Sequence, residues 1–314
     1  MPDGDSCLAI GRANVEKMVS GAHPTFVDGF MSQNKFHGFS HWLVARLGDL
    51  WYRLDRRHRE ITRRNLAFAY GPELSPEEVE RIARGVFRHF VRFAWEIMEL
   101  LMAPPAFLKK RLVVVGLEHA EAALKQGRGL IAIAAHAGNW EYTGMVFSLK
   151  YWPQAVVARK MDSPWGARLA RYLRERGGNL MVDKRGGLKG ILRQLRQNWV
   201  VGIVIDQNTA AADGLLVDFF GKAARTTPVA AILARHRDIP VLPVLSRRLA
   251  DGRHLCMVYP PIPMEKTQDP QADIRRHMEL QSRAIEEWVR ACPEQWLWLH
   301  RRWKNQFEEL YKDL

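Results

Sequence analysis

From Arg111 onward the chain alternates short apolar runs with stretches of helical periodicity, and this alternation constrains the fold more than any other feature. The runs are RLVVV, GLIAIAA, QAVVAR, NLMV, WVVGIVID, IPVLPVLS and HLCMVYP. Each is apolar on consecutive positions, as in strands covered on both faces; a strand with one wet face would alternate. Interleaving with helices predicts an α/β core: a largely parallel central sheet flanked by helices. A chain of 314 residues has room for one such domain with an N-terminal helical annex.

Residues 1–35 show no sustained period and are expected to be mobile or extended. Residues 36–105 form the expected annex. Phe39, Trp42, Leu43, Leu47, Leu50, Trp51 and Leu54 recur at the spacing of a helix with one apolar stripe. The next stretch is strongly basic, with Arg53, Arg56, Arg57, Arg59, Arg63 and Arg64. An apolar stripe followed by clustered arginines suits a helix lying on anionic headgroups, although a core helix with a solvated flank has the same pattern. Ser75, Pro76 and Glu78 spell a capping box at the start of a long helix that Pro104 and Pro105 end. Residues 106–307 are the expected α/β core and 308–314 a short tail.

Forty-seven Lys and Arg against 34 Asp and Glu leave a formal charge of +13, enough to draw the protein to a polyanion. Nucleic acid, an anionic bilayer and an acidic carrier protein all qualify. No zinc-finger spacing, aromatic single-strand motif or recognition helix stands out, so nucleic acid is not the expected partner. Cys7, Cys256 and Cys292 are too few and too scattered for a disulfide framework or a zinc site. No signal peptide is visible and no apolar run reaches the roughly 20 residues of a spanning helix. The 11 tryptophans, several beside Arg or Lys, suit either a core or a membrane interface.

Chemistry concentrates in GLIAIAAHAGNWEYTGM, Gly129 to Met145. If LIAIAA is a strand, His136 stands at its carboxyl end, where open α/β sheets bind ligands. Ala137 and Gly138 keep the turn narrow, Asn139 can cap a helix starting at Trp140, and Glu141 falls in its first turn. A carboxylate on Nδ1–H of His136 would fix the tautomer and leave Nε2 as a proton acceptor. With no serine or cysteine nucleophile nearby, such a base must activate water or a substrate hydroxyl. A His and a Glu at this spacing do not by themselves separate catalysis from a pair that merely satisfies itself. No further His, Cys or carboxylate cluster lies at ligand spacing, so no metal centre is expected.

HAGNWE resembles the H-x4-D/E signature of the lysophospholipid acyltransferase superfamily, in the H-x-G-N-W-E form of the lipid A biosynthesis acyltransferases. The resemblance continues in order through RRNLAFAYGPELSPEE, VVARKMDSPWGARL, GIVIDQN, VDFFGKAARTTPVAAILARH and CPEQWLWLHRRWK, covering Phe36 to Phe307. It implies a glycerolipid-acyltransferase-like fold and transfer of a fatty acyl chain from a thioester, on acyl carrier protein or CoA, to a hydroxyl of a lipid A precursor. The alternative acceptors are another glycolipid, a lysophospholipid or an aminolipid. No cofactor is implied. The implied setting is the cytoplasmic face of the bacterial inner membrane, held peripherally through the Arg53–Arg64 region, because the apolar anchor helix common in the family is missing here.

Residue by residue, the resemblance makes His136 the base and Glu141 the acid that holds it. Backbone N–H groups at Gly138 or Asn139 are candidate oxyanion donors. Arg159 matches a family position at the active site and is read either as a phosphate clamp or as a plain strand-end arginine. Asp206, Gln207 and Asn208 end a buried run; an Asp there needs compensation, and Arg159 or Arg225 is the expected partner. FFGKAARTTP reads as a loop across the site mouth. Phe219 and Phe220 there are read either as substrate contacts or as buried anchors, Lys222 and Arg225 offer charge to a headgroup, and Thr227 is the expected helix cap. The tail is read as mainly structural, with Arg301 and Arg302 as candidate phosphate contacts.

Overall fold

The structure, a computed structural model, describes residues 34–158, 163–183 and 187–314. Arg159 lies outside them.

The annex is three helices, α1 (Asn34–Leu54), α2 (Arg56–Tyr70) and α3 (Pro76–Met102). The capping box is present: Ser75 accepts from the Glu78 N–H while the Glu78 carboxylate accepts from the Ser75 N–H. Helix α1 packs closely on α3 because Gly48 has no side chain. A Cβ there would lie 2.6 Å from Arg88 Cα. The neighbouring Asp49 takes two hydrogen bonds from Arg88, at 2.7 and 2.9 Å.

All seven apolar runs are strands: β1 (Leu112–Val115), β2 (Leu130–Ala134), β3 (Gln154–Ala158), β4 (Leu180–Asp183), β5 (Val200–Val204), β8 (Val241–Arg248) and β9 (His254–Val258). They form one sheet in the order β1-β9-β8-β2-β5-β3-β4. Every pairing is parallel except β8 with β9. Helix α4 (Pro105–Lys110) leads into β1; the helices between strands are α5 (Leu117–Leu124), α6 (Trp140–Lys150), α7 (Pro164–Arg176), α8 (Gly187–Arg196) and α9 (Val229–Arg237), and α10 (Pro270–Ala291) follows β9.

The two-residue period of the strands splits the core into two layers. On one face Ile131, Ile133, Val201, Ile203, Val241 and Leu245 join a cluster reaching into the annex, α9, α10 and the C-terminal tryptophans. On the other, Leu130, Ala132, Val200, Leu242 and Cys256 meet Tyr142, Met145, Val146 and Phe147 of α6.

The segment expected as a loop over the site is instead an antiparallel hairpin, β6 (Leu215–Phe219) with β7 (Lys222–Thr226). Phe220 and Gly221, at φ +59° and +67°, form its two-residue turn with both centres left-handed, the geometry that matches strand twist. Phe220 tolerates it because it is buried and its N–H donates to Glu286 Oε2 at 2.6 Å. Phe219 and Phe220 pack on Trp296, Trp298 and Tyr70, so the buried-anchor reading holds. Thr227 is not the cap of α9: Pro228 occupies that position with no side-chain cap. Among the described residues no helix is long and apolar enough to cross a membrane.

Candidate active site

Strands β2 and β5 are neighbours in register, Leu130 opposite Val200 and Ala134 opposite Val204. Their carboxyl ends therefore deliver two side chains to the same point. His136 comes from the first and Asp206 from the second, and His136 Nδ1 lies 2.7 Å from Asp206 Oδ1. Oδ2 of the same carboxylate accepts from the His136 N–H and from Trp296 Nε1, each at 2.7 Å. Asp206 is 3% exposed, and burial alone would raise its pKa. The charge and hydrogen bonds of His136, with the Trp296 donor, outweigh burial and hold the carboxyl below its ordinary value. With Nδ1–H committed to Asp206, Nε2 is the free acceptor of the imidazole. The His136 side chain keeps 18% exposure, and its ring meets Trp140 edge-on at 4.9 Å.

This arrangement corrects the expected pairing. Glu141 does not hold His136; its carboxylate is bound by Arg174 of α7 through Nε at 3.1 Å and through Nη2. Nor does Asp206 pair with Arg225, whose guanidinium donates to the carbonyls of Ala211 and Gly214 at 3.2 and 2.9 Å. Gln207 is exposed beside the pair, its carbonyl accepting from Arg302 at 2.9 Å.

The turn after His136 is built tightly. Gly138 has φ +60°, and a Cβ on it would lie 2.6 Å from the Ser246 carbonyl oxygen. Its N–H donates to the Gln295 carbonyl at 2.9 Å, so it is not available as an oxyanion donor. Asn139 caps α6 as expected, Oδ1 accepting from the Tyr142 N–H at 3.0 Å. Its Nδ2 donates to Glu96 of α3 at 2.9 Å, and Glu96, 0% exposed, also takes two bonds from Arg248 at 2.5 and 2.7 Å. Burial pushes the Glu96 carboxyl up, but Arg248, His254 and Asn139 bring it down to about 2. Nothing in the sequence reading found this buried cluster. The available signal is Arg92 and Glu96 set four apart inside the apolar run of α3.

The tail closes the site from behind. Trp296, Trp298 and Trp303 are buried. Arg302, 2% exposed, donates to the carbonyls of Gln207 and Arg225 and to Thr226 Oγ1. It is a buried strut and not a phosphate contact. His300 Nε2 accepts from the Asn208 N–H at 3.0 Å, and burial, aided by Arg302 and His136, pushes its pKa down to about 4. Among the described residues no group of three or more His, Cys, Asp or Glu side chains is placed to hold a metal ion.

The model of the bacterial lipid A biosynthesis acyltransferases matches residues 37–305. The chain belongs to this family. It is 28% identical to the lipid A biosynthesis lauroyltransferase of Escherichia coli K12 over 271 residues, 85% of each chain. Against the palmitoleoyltransferase of the same organism it is 26% identical, covering 84% of this chain and 85% of the relative. A phosphatidylinositol mannoside acyltransferase of Mycolicibacterium smegmatis is 28% identical over 64% of this chain and 66% of the relative.

This acyltransferase has a narrow apolar seam of about 90 Å³ between α6 and the sheet, starting beside His136 at Ala134, Ala135 and Trp140. It passes Ala132, Gly202, Thr143 and Gly144 toward Leu130, Ala120, Phe147 and Trp152 at the amino ends of the strands. The space follows from small residues stacked where large ones would close it. A Cβ on Gly144 would meet nothing within 4 Å.

Proposed function

We propose that the enzyme moves a fatty acyl chain from an acyl thioester, on acyl carrier protein or CoA, to a hydroxyl of a lipid A precursor. The observation that carries this reading is the His136–Asp206 pair at the mouth of an apolar seam. His136 Nε2 takes the proton of the acceptor hydroxyl as its oxygen attacks the thioester carbonyl, and Asp206 stabilises the imidazolium that forms. The tetrahedral intermediate collapses, the carbon–sulfur bond breaks, and the thiolate recovers the proton from His136. The acyl tail occupies the seam, where each buried methylene contributes about 0.8 kcal/mol. The family match and the lauroyl and palmitoleoyl relatives support lipid A as the acceptor. A mannosylated phospholipid is the second reading, favoured by the mycobacterial relative.

The enzyme works peripherally at the cytoplasmic face of the inner membrane. Supporting this are exposed Trp42, Leu47, Leu50 and Leu54 on α1, with Trp95, Met98 and Met102 on α3, beside exposed Arg53 and Arg56. Mass spectrometry of lipid extracts from cells with and without the protein tests the assignment, with His136→Ala as control. One added acyl chain on lipid A species is expected. An unchanged lipid A profile alongside altered phospholipids would replace the acceptor.

A further inference from the structure

A second recess, of about 370 Å³, opens at Asn208, two residues after Asp206. Its walls come from the start of α2 (Arg57, His58, Ile61), from Asn208 after β5, and from the tail (Leu299, His300, Arg301, Lys304). No aspartate or glutamate lines it. Among the described residues neither Arg57 nor Lys304 enters an ion pair, whereas Arg63 and Arg64 of the same basic stretch are tied to Glu60 at 3.7 and 2.8 Å. Arg301 is partly engaged, donating to the main-chain oxygen of Leu314 at 2.8 Å. Gathering unneutralised cations around a cavity costs self-repulsion unless an anion enters.

Asn208 and His300 tie the recess to the site, the His300 ring interacting electrostatically with Asp206 and His136. Asn208 lies two residues after Asp206, and its N–H donates to His300 Nε2 at 3.0 Å. Asn208 Oδ1 is buried and accepts no hydrogen bond, leaving an acceptor suited to a hydroxyl donor beside the cations.

We infer that this recess seats a phosphate ester of a substrate, with Arg57, Arg301 and Lys304 on the phosphate oxygens and Asn208 Oδ1 on an adjacent hydroxyl. The inference rests on the acyl-transfer reading only for which substrate brings the phosphate. A phosphorylated sugar of the acceptor has both groups, as does the pantetheine arm of the donor. The recess lies on the Asn208 side of the dyad, whereas the seam begins on the Trp140 side. An acceptor anchored there presents its next hydroxyl across His136 to an acyl group whose tail fills the seam.

Calorimetric titration of the full chain with glucosamine 1-phosphate, glucosamine and phosphopantetheine tests the recess without requiring turnover. The phosphosugar is expected to bind and glucosamine not. Arg57→Gln/Lys304→Gln, two exposed positions, should weaken phosphate binding about tenfold or more. Lys266→Gln/Arg276→Gln, removing the same charge elsewhere, should leave it unchanged. In turnover assays the first double variant raises KM for the acceptor if the sugar phosphate sits there, and KM for the thioester if the pantetheine phosphate does. Equal binding of glucosamine and its phosphate, or equal behaviour of the two double variants, overturns the inference. Phosphate binding by a protein that shows no acyl transfer would leave the recess standing and remove the proposed reaction.

Discussion

Three donors converge on the Asp206 carboxylate, namely the His136 N–H, the His136 ring and the Trp296 indole. An amide there must turn its NH2 against one of those donors, and turning it toward Nδ1 forces the proton onto Nε2, the nitrogen that has to accept. Asp206→Asn should therefore lower kcat by about 10²- to 10⁴-fold, as loss of an orienting carboxylate does in triads. Glu141→Gln weakens the Arg174 pair but leaves the His136 tautomer in place, so its fall should be at least tenfold smaller. Steady-state rates for the two variants decide this; a larger loss at Glu141 would return the orienting role to it. His136 was legible because strand, turn and helix cap are local signals within a few residues. Its partner was not, because Asp206 is 70 residues away and reaches it only through the β2–β5 neighbour relation, which no spacing rule encodes. The acid five residues on was the visible one, and α6 turns it to Arg174 instead.

At the scale of elements, α6 is fixed at its start and open along its length. Its cap residue Asn139 hangs on Glu96 of α3, and Glu96 in turn compensates Arg248 of β8. Glu96→Ala leaves a buried guanidinium unpaired and frees the cap, so it should cost about 3–5 kcal/mol, read from urea unfolding. A loss under about 1 kcal/mol would show that water replaces the carboxylate. Along the helix, a mid-helix glycine costs about 1 kcal/mol relative to alanine, and no backbone angle or close approach at Gly144 demands one. The open space it faces belongs to the seam. Gly144→Leu should fill that space, shift acyl selectivity to shorter thioesters and leave rates on short chains within a few-fold. Unchanged chain-length preference would place the acyl tail elsewhere. The strands were readable from their apolar runs, whereas the seam was not, since it arises from Ala132, Gly202 and Gly144 meeting across three elements. The β6–β7 hairpin escaped because a left-handed Phe220 is stabilised by tertiary burial, not by turn chemistry.

For the whole molecule, buried imidazoles set the response to acid. His277 is buried, with Nδ1 accepting from Gln281 Nε2 at 2.8 Å and Nε2 facing the Ile262 carbonyl at 3.4 Å. His300 likewise accepts from the Asn208 N–H. Burial pushes both down to about 4, and His89 and His254 lie lower still beside Arg248. An unfolded histidine titrates near 6.5. Between that value and about 4 the unfolded chain binds more protons than the folded one, so stability falls as pH drops through this window. Each such histidine adds a slope of up to about 1.4 kcal/mol per pH unit. The depressed carboxyls of Glu96 and Asp206 act with the same sign in a lower window, their stabilisation being complete above about 4 and lost only below it. Acid destabilisation should therefore begin near pH 6.5, above the range in which the Glu96 and Asp206 carboxyls protonate. The urea midpoint should hold from pH 8 to 7 and decline steadily from 6.5 to 5, and His277→Gln should flatten that decline. A midpoint that stays level down to pH 5 would mean that these rings titrate freely, and with that the neutral hydrogen bonds of His277 and His300 would be lost from the description.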